Sequence, residues 1–207
     1  MFLVKSNIRR RVAAEAARLL YNGVYAEYIH AKEAASSSLG VKVVPSNFEV
    51  AEELDRLADS LEGDERWSRL IQLRTKALKL MRLLREYNPV LTGSVWRGTA
   101  RRGSDIDINV YSSDPNVIER LLVENGCETR IEEANVTRSG VVSRSTHISF
   151  DVDSDEVEVV VRPMEDASKH ERCGTYGDLK KGLTLGELER VMQGDQLKRF
   201  IPKKRAR

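Results

Sequence analysis

The chain has 207 residues, of which 41% are apolar and 32% charged, with a formal net charge of +2. That composition is globular and excludes a disordered or collagen-like chain, and the absence of any run of about 18 apolar residues excludes a transmembrane helix. Near-neutrality also excludes nucleic-acid binding through bulk charge, so any such role must come from local patches.

Met1-Phe2-Leu3-Val4-Lys5, followed at once by Arg9-Arg10-Arg11, leaves no room for the apolar core of a secretory signal, which predicts a cytoplasmic protein. Cys127 and Cys173 are isolated, with neither CxxC spacing nor a nearby His, and suggest neither a disulfide framework nor a zinc site.

From Ile8 the apolar positions recur at helical spacing through Val12, Ala16, Leu19, Leu20, Val24, Tyr28, Ala31 and Ala35. Ser6 or Asn7 is the expected N-cap, Gly40 closes the run, and Gly23 is expected to kink or split it. Ser46-Asn47-Phe48-Glu49 has the spacing of a capping box, and Val50, Leu54, Leu57 and Leu61 form the stripe of a second helix that ends at Gly63. A third helix from about Asp64 carries Trp67, Leu70, Ile71, Leu78, Met81, Leu84 and Tyr87 to Asn88-Pro89, a stripe read most simply as core.

After Pro89 the period changes. Val90-Leu91-Thr92 is a short apolar run that breaks at Gly93-Ser94, and Ile106, Ile108 and Val110 alternate with Asp105, Asp107 and Asn109 as a strand with one polar face. A helix starts at Asp114-Pro115 and ends near Gly126. Residues 127–138, 143–152 and 156–162 read as strands joined by turns at Ser139-Gly140 and Asp153-Ser154-Asp155, and a last helix runs from Thr184 to about Met192. The expected architecture is α+β, with a helical region over 1–63, a small mixed-sheet domain over 64–178, and a C-terminal helix and basic tail over 179–207.

The chemistry lies in the stretch from Leu91 to Ile108. Asp105 and Asp107, two apart on a strand, project from one face, where two like charges repel unless a divalent ion neutralises them. Ile106 and Ile108 point the other way, into the core. Gly93-Ser94 offers backbone amides and a hydroxyl to phosphate oxygens at the start of a helix. Phosphate cradle and paired carboxylates together are what metal-assisted phosphoryl or nucleotidyl transfer requires.

An apolar residue, Gly93-Ser94, ten intervening residues and Asp105-Ile106-Asp107-Ile108 resemble the signature of the nucleotidyltransferase superfamily with the DNA polymerase beta-type fold. Arg97-Gly98 falls where compact members place an Arg-Gly pair, and Ser104-Asp105-Ile106-Asp107-Ile108 is similar to their Ser-Asp-Ile-Asp-Leu segment. The resemblance implies a third carboxylate on a later strand. Val157-Glu158-Val159-Val160-Val161 fits best, so Glu158 is the expected third ligand, although the family more often has Asp. Asp151 is the rival, because His147, Ser149 and Asp151 share a polar strand face; Asp153 belongs to the turn.

On this resemblance Asp105, Asp107 and Glu158 hold two Mg²⁺ ions, with Mn²⁺ as the alternative. One ion sits on the triphosphate, and the other lowers the pKa of an acceptor hydroxyl for in-line attack on the α-phosphorus. Gly93 and Ser94 hold the phosphates of an NTP, Ser104 joins the nucleotide site, and Arg97 is either a phosphate contact or a strut for the loop. The expected activity is transfer of a nucleoside monophosphate to a hydroxyl on an RNA or tRNA end, a small molecule or a protein. The alternative is a nucleotide-binding regulator of the same fold with little transfer activity, such as a toxin–antitoxin partner.

Other readings fail on their own residues. The five carboxylates among the eight residues from Asp151 to Glu158 open like a calcium loop, but Glu156 stands where that loop needs Gly and Arg162 where it needs Glu. Most of these acids are expected to be solvated. No GxxxxGK[ST] loop and no Gly-x-Ser-x-Gly elbow are present. His30, His147 and His170 are scattered and form no ligand pair. The stretch from Lys198 to Arg207 has six cations and no acid, so it is either a solubilising end or a grip on RNA or substrate phosphates. Bases exceed acids over 64–113 and 179–207, and acids exceed bases over 114–178, so the near-zero total averages segments of opposite sign.

Overall fold

The computed structural model describes residues 2–138, 141–169 and 171–204. Its residues fall into two compact units. One comprises residues 1–66, 172–178 and 202–207, and the other residues 67–171 and 179–201.

The first unit is helical. Helix α1 (Phe2–Tyr21) runs back past Ser6 and Asn7, so neither serves as the cap the sequence suggests; no Gly or Pro lies before Ile8 to stop it. Gly23, at φ +68°, separates α1 from α2 (Tyr28–Ser38), which makes the expected interruption a full break. Helix α3 (Asn47–Glu62) opens with the predicted capping box: Ser46 Oγ accepts from the Glu49 amide, and the Glu49 carboxylate accepts from the Ser46 amide at 2.7 Å. Val12, Ala16, Leu20, Ala31, Ala35, Val50 and Leu54 form the core of this unit. The alanines allow the close approach of α1 to its two neighbours.

The second unit carries most of α4 (Asp64–Leu83), then β1 (Val90–Leu91), α5 (Gly93–Arg97), β2 (Ile106–Tyr111), α6 (Pro115–Glu124), β3 (Arg130–Arg138), β4 (Val141–Val152), β5 (Asp155–Arg162), β6 (Leu183–Thr184) and α7 (Leu185–Gln193). The six strands form one mixed sheet in the order β3-β4-β5-β2-β1-β6. Among the described residues only β2 and β5 pair in parallel; β4 and β5 form a hairpin whose Asp153 and Ser154 both have positive φ, the conformation a two-residue turn of this twist demands. The turn expected at Ser139-Gly140 lies outside the described residues, as do His170 and Arg205–Arg207. The short β6 pairs with β1 and has no counterpart in the sequence reading, because two residues carry no periodicity.

Ile106, Ile108, Val110, Ile148, Phe150, Val157, Val159 and Val161 point from the sheet into a core shared with Leu70, Leu73, Met81 and Leu84 of the α4 region and Ile118 and Leu122 of α6. This leaves the alternate face of β2, β5 and β4 polar. Asp114 caps α6 by accepting from the Asn116 amide at 3.0 Å, with Pro115 in the first turn as the sequence predicts. Among the described residues no helix is long and apolar enough to cross a membrane.

Two clusters built on α4 cations, Arg74 in one and Arg69 with Lys76 in the other, fix α4 to this unit. Arg74, fully buried, donates to the carbonyls of Val95 (3.1 Å), Trp96 (3.0 Å), Gln196 (2.6 Å) and Lys198 (2.9 Å). Burial pulls its pKa down to about 10, which leaves it charged at neutral pH. Lys198 to Phe200 therefore belong to the packed unit instead of forming a free basic tail, since the Phe200 amide also bonds the Arg97 carbonyl at 2.9 Å. Asp155 is equally buried, and accepts from Arg69 and, at 2.9 Å, from Lys76. It is thus a structural anchor, the buried member of a run whose Asp151, Asp153 and Glu156 are exposed as the sequence predicts for most of these acids.

Candidate active site

The site is organised by the ladder joining β1, β2 and β5. Leu91 lies opposite Ile108, and the Thr92 amide donates to the Asp107 carbonyl at 2.8 Å, so the chain leaves β1 directly beside Asp107. Gly93 follows at φ +67°. A β-carbon there would stand 1.7 Å from Asp107 Oδ2 and 2.8 Å from its Cγ, a space no other residue type leaves. Ser94 is the second residue of α5, and its Oγ is buried with no hydrogen-bond partner among the described residues. A buried hydroxyl left unpaired costs about 1–3 kcal/mol, which a ligand oxygen would offset.

Asp107 is paired in register with Glu158 across the parallel β2–β5 ladder, so both carboxylates leave the sheet on the polar face. Asp105, just before β2, is exposed. Burial raises the Asp107 carboxyl to about 7, and the charges of Asp105 and Glu158 push it the same way while Lys180 opposes them. Two of the acids named from sequence, Asp105 and Glu158, thus act electrostatically on the third. Among the described residues no three His, Cys, Asp or Glu side chains stand close enough as placed to hold a metal ion. The donor set nonetheless fits a hard divalent cation in kind: carboxylate oxygens only, with Asp107 set among the negative charges of Asp105 and Glu158.

The remaining named residues have other partners. Arg97 is 4% exposed, donates to the Phe200 carbonyl at 2.9 Å and lies 4.2 Å over the Trp96 ring. Ser104 is buried, and its Oγ accepts from the Arg101 amide at 3.0 Å, closing the turn that leads into β2. Asp151, the rival acid, lies opposite Glu156 at the exposed end of the β4–β5 hairpin and pairs loosely with Arg130 at 3.6 Å.

Two residues enter that the sequence did not single out. Lys180 is a cation acting on Asp107. His147 Nδ1 stands 2.9 Å from Glu158 Oε1. The hint for His147 was its place on the polar face of β4; the pairing of β4 with β5, which brings it to Glu158, has no local signal.

Residues 74–172, which carry the mixed sheet from β1 to β5, match the family model described as a nucleotidyltransferase domain. Among solved structures, a cytoplasmic RNA terminal U-transferase is similar at 22% identity and a TM-score of 0.31, covering 56% of this chain and 34% of that one. A GLD-2/RNP-8 complex is similar at 14% identity and a TM-score of 0.33, covering 59% and 44%. The chain spans less than half the length of either. No curated protein matches it.

Proposed function

We propose that the domain is a metal-dependent enzyme that transfers a nucleoside monophosphate from an NTP to an acceptor hydroxyl. The observation that carries this reading is the packing of Gly93 against Asp107, the register partner of Glu158, which sets a bare backbone turn against a carboxylate, with the unpartnered Ser94 hydroxyl on the next residue. Nucleotide phosphates need the first two, and a metal-bridged phosphate needs the carboxylates next to them.

In this reading Gly93 and Ser94 take the phosphates, and Asp105, Asp107 and Glu158 hold Mg²⁺ or Mn²⁺. When bound, the ions supply charge neutralisation of the triphosphate and a lowered pKa for the attacking hydroxyl. Arg97 and Ser104 act as struts, holding the phosphate turn against residues 198–200 and the entry to β2 in shape. Lys180 offsets part of the negative field at Asp107 before nucleotide arrives. RNA is the first acceptor to examine, because Lys203 and Lys204 present exposed charge beyond the packed Phe200.

The test is NTP binding by calorimetry with and without Mg²⁺, beside transfer of labelled nucleotide to bulk RNA and to protein. Metal-dependent binding lost in the Asp105→Ala, Asp107→Ala double variant supports the site, and transfer to either acceptor supports the enzyme. Metal-dependent binding without turnover on any acceptor would favour a nucleotide-binding regulator.

A further inference from the structure

We propose that His147 is a positioning residue for Glu158, fixing one carboxylate oxygen so that the other is presented toward Asp107. The inference rests on the nucleotidyl-transfer reading above and explains how a glutamate serves where an aspartate is commoner.

The register places it. In the antiparallel β4–β5 pair Ser149 lies opposite Glu158 and His147 opposite Val160, so His147 is the diagonal neighbour of Glu158 on the same face. The imidazole is held at both ends: Nδ1 meets Glu158 Oε1 at 2.9 Å and Nε2 meets Ser145 Oγ at 3.1 Å. Ser145 is itself buried, so the far end of the ring rests on a side chain with little room to move. An ionised carboxylate only accepts, so Nδ1 carries the proton facing it, and in the neutral ring Nε2 accepts from the Ser145 hydroxyl.

Both ring nitrogens are therefore engaged with protein, which makes His147 a poor direct metal ligand and a good brace. A glutamate has one more rotatable bond than an aspartate and, unbraced, would spread its oxygens over several positions. With Oε1 tied to the ring, Oε2 is left to face Asp107, its register partner. Partners of this kind behind a ligating group are commonly worth 10–100-fold in metal affinity.

The experiment is calorimetric binding of Mn²⁺ to the full chain in the presence of a non-hydrolysable NTP analogue. The expected result is about tenfold weaker binding in His147→Ala, with recovery in His147→Asn, whose amide nitrogen can stand where Nδ1 stood. In a Glu158→Asp background, whose shorter arm falls away from the ring, His147→Ala should add no further loss. Wild-type affinity in His147→Ala, equal loss in His147→Asn, or the same additional loss in the Glu158→Asp background would overturn the proposal. If His147→Ala fails to fold by circular dichroism, Ser145→Ala decides in its place, with weaker binding expected and unchanged binding overturning. Asp105→Asn with Asp107→Asn separates the two readings: Mn²⁺ binding indifferent to that pair sinks the transfer site itself, whereas binding lost there but kept in His147→Ala sinks only the brace.

Discussion

Gly93 and Asp107 touch so closely that the glycine's missing side chain is part of the site: a β-carbon would overlap Asp107 Oδ2 at 1.7 Å. The Gly93→Ala variant must therefore either abandon φ +67° or push the carboxylate aside. Transfer should fall at least about 100-fold, the scale set by misplacing a reacting group by about 1 Å. Metal-dependent NTP binding should weaken with it, while circular dichroism stays native. A Gly93→Ala protein with unimpaired NTP binding would contradict the placement of phosphates at this turn.

Asp107 makes metal-free stability depend on pH. Its folded pKa, about 7, lies above its ordinary value of 3.8, so its contribution is complete below 3.8 and is lost as pH rises toward 7. Asp107→Asn removes that loss and should stabilise the metal-free protein at pH 8 by more than about 1 kcal/mol, read from urea unfolding at pH 5 and pH 8. Equal stabilisation at both pH values would be inconsistent with this origin.

Asp155 acts with the opposite sign. Burial raises its pKa, but the hydrogen bonds from Lys76 and Arg69 outweigh that and hold it below the ordinary value of 3.8. Its stabilisation is therefore present above 3.8 and disappears as pH falls through the lowered value. Asp155→Asn leaves two cations facing a neutral group and should cost about 3 kcal/mol at pH 7, with the difference from wild type shrinking in acid. Thermal unfolding of both proteins between pH 2 and pH 7 measures it.

Arg74 holds four backbone carbonyls, two on α5 or its residues and two in the segment after α7. Arg74→Met fills the space but leaves those carbonyls without their donor, at an expected cost above about 3 kcal/mol. Limited proteolysis should then cut between residues 195 and 204, where the wild type resists. Persistence of the wild-type fragment pattern would show that the hydrogen bonds between Arg97 and Phe200 suffice to seat the segment.

What could be seen in the sequence was local. The Ser46–Glu49 capping box, the Asp114-Pro115 start, the break at Gly23 and the alternation of β2 and β5 are each signalled within a few residues, and each is present in the fold. The Leu91–Ile108 stretch named the acids and the turn for the same reason. The anchoring role of Asp155 is not legible, because its partners, Arg69 and Lys76, lie 86 and 79 residues away on α4, and nothing in the acidic run distinguishes the acid that is buried. His147 was passed over because its meaning depends on which strand lies beside β4. The start of α1 was missed because a serine before a helical pattern is a cap only if the helix does not continue through it.

The parallel pairing of β2 with β5 also determines which changes of chain length the domain can absorb. Glu158 faces Asp107 only because residue 106 is aligned with 157 and 107 with 158. One residue inserted within β5 ahead of Glu158 would turn it into the apolar layer and bring a valine out in its place. The α6 region and the β3–β4 connection, by contrast, lie between these two strands in the chain but outside their alignment. Lengthening or shortening there would leave the acid pair in step, so variation in size among such domains should accumulate in those connections and stop at the two strands.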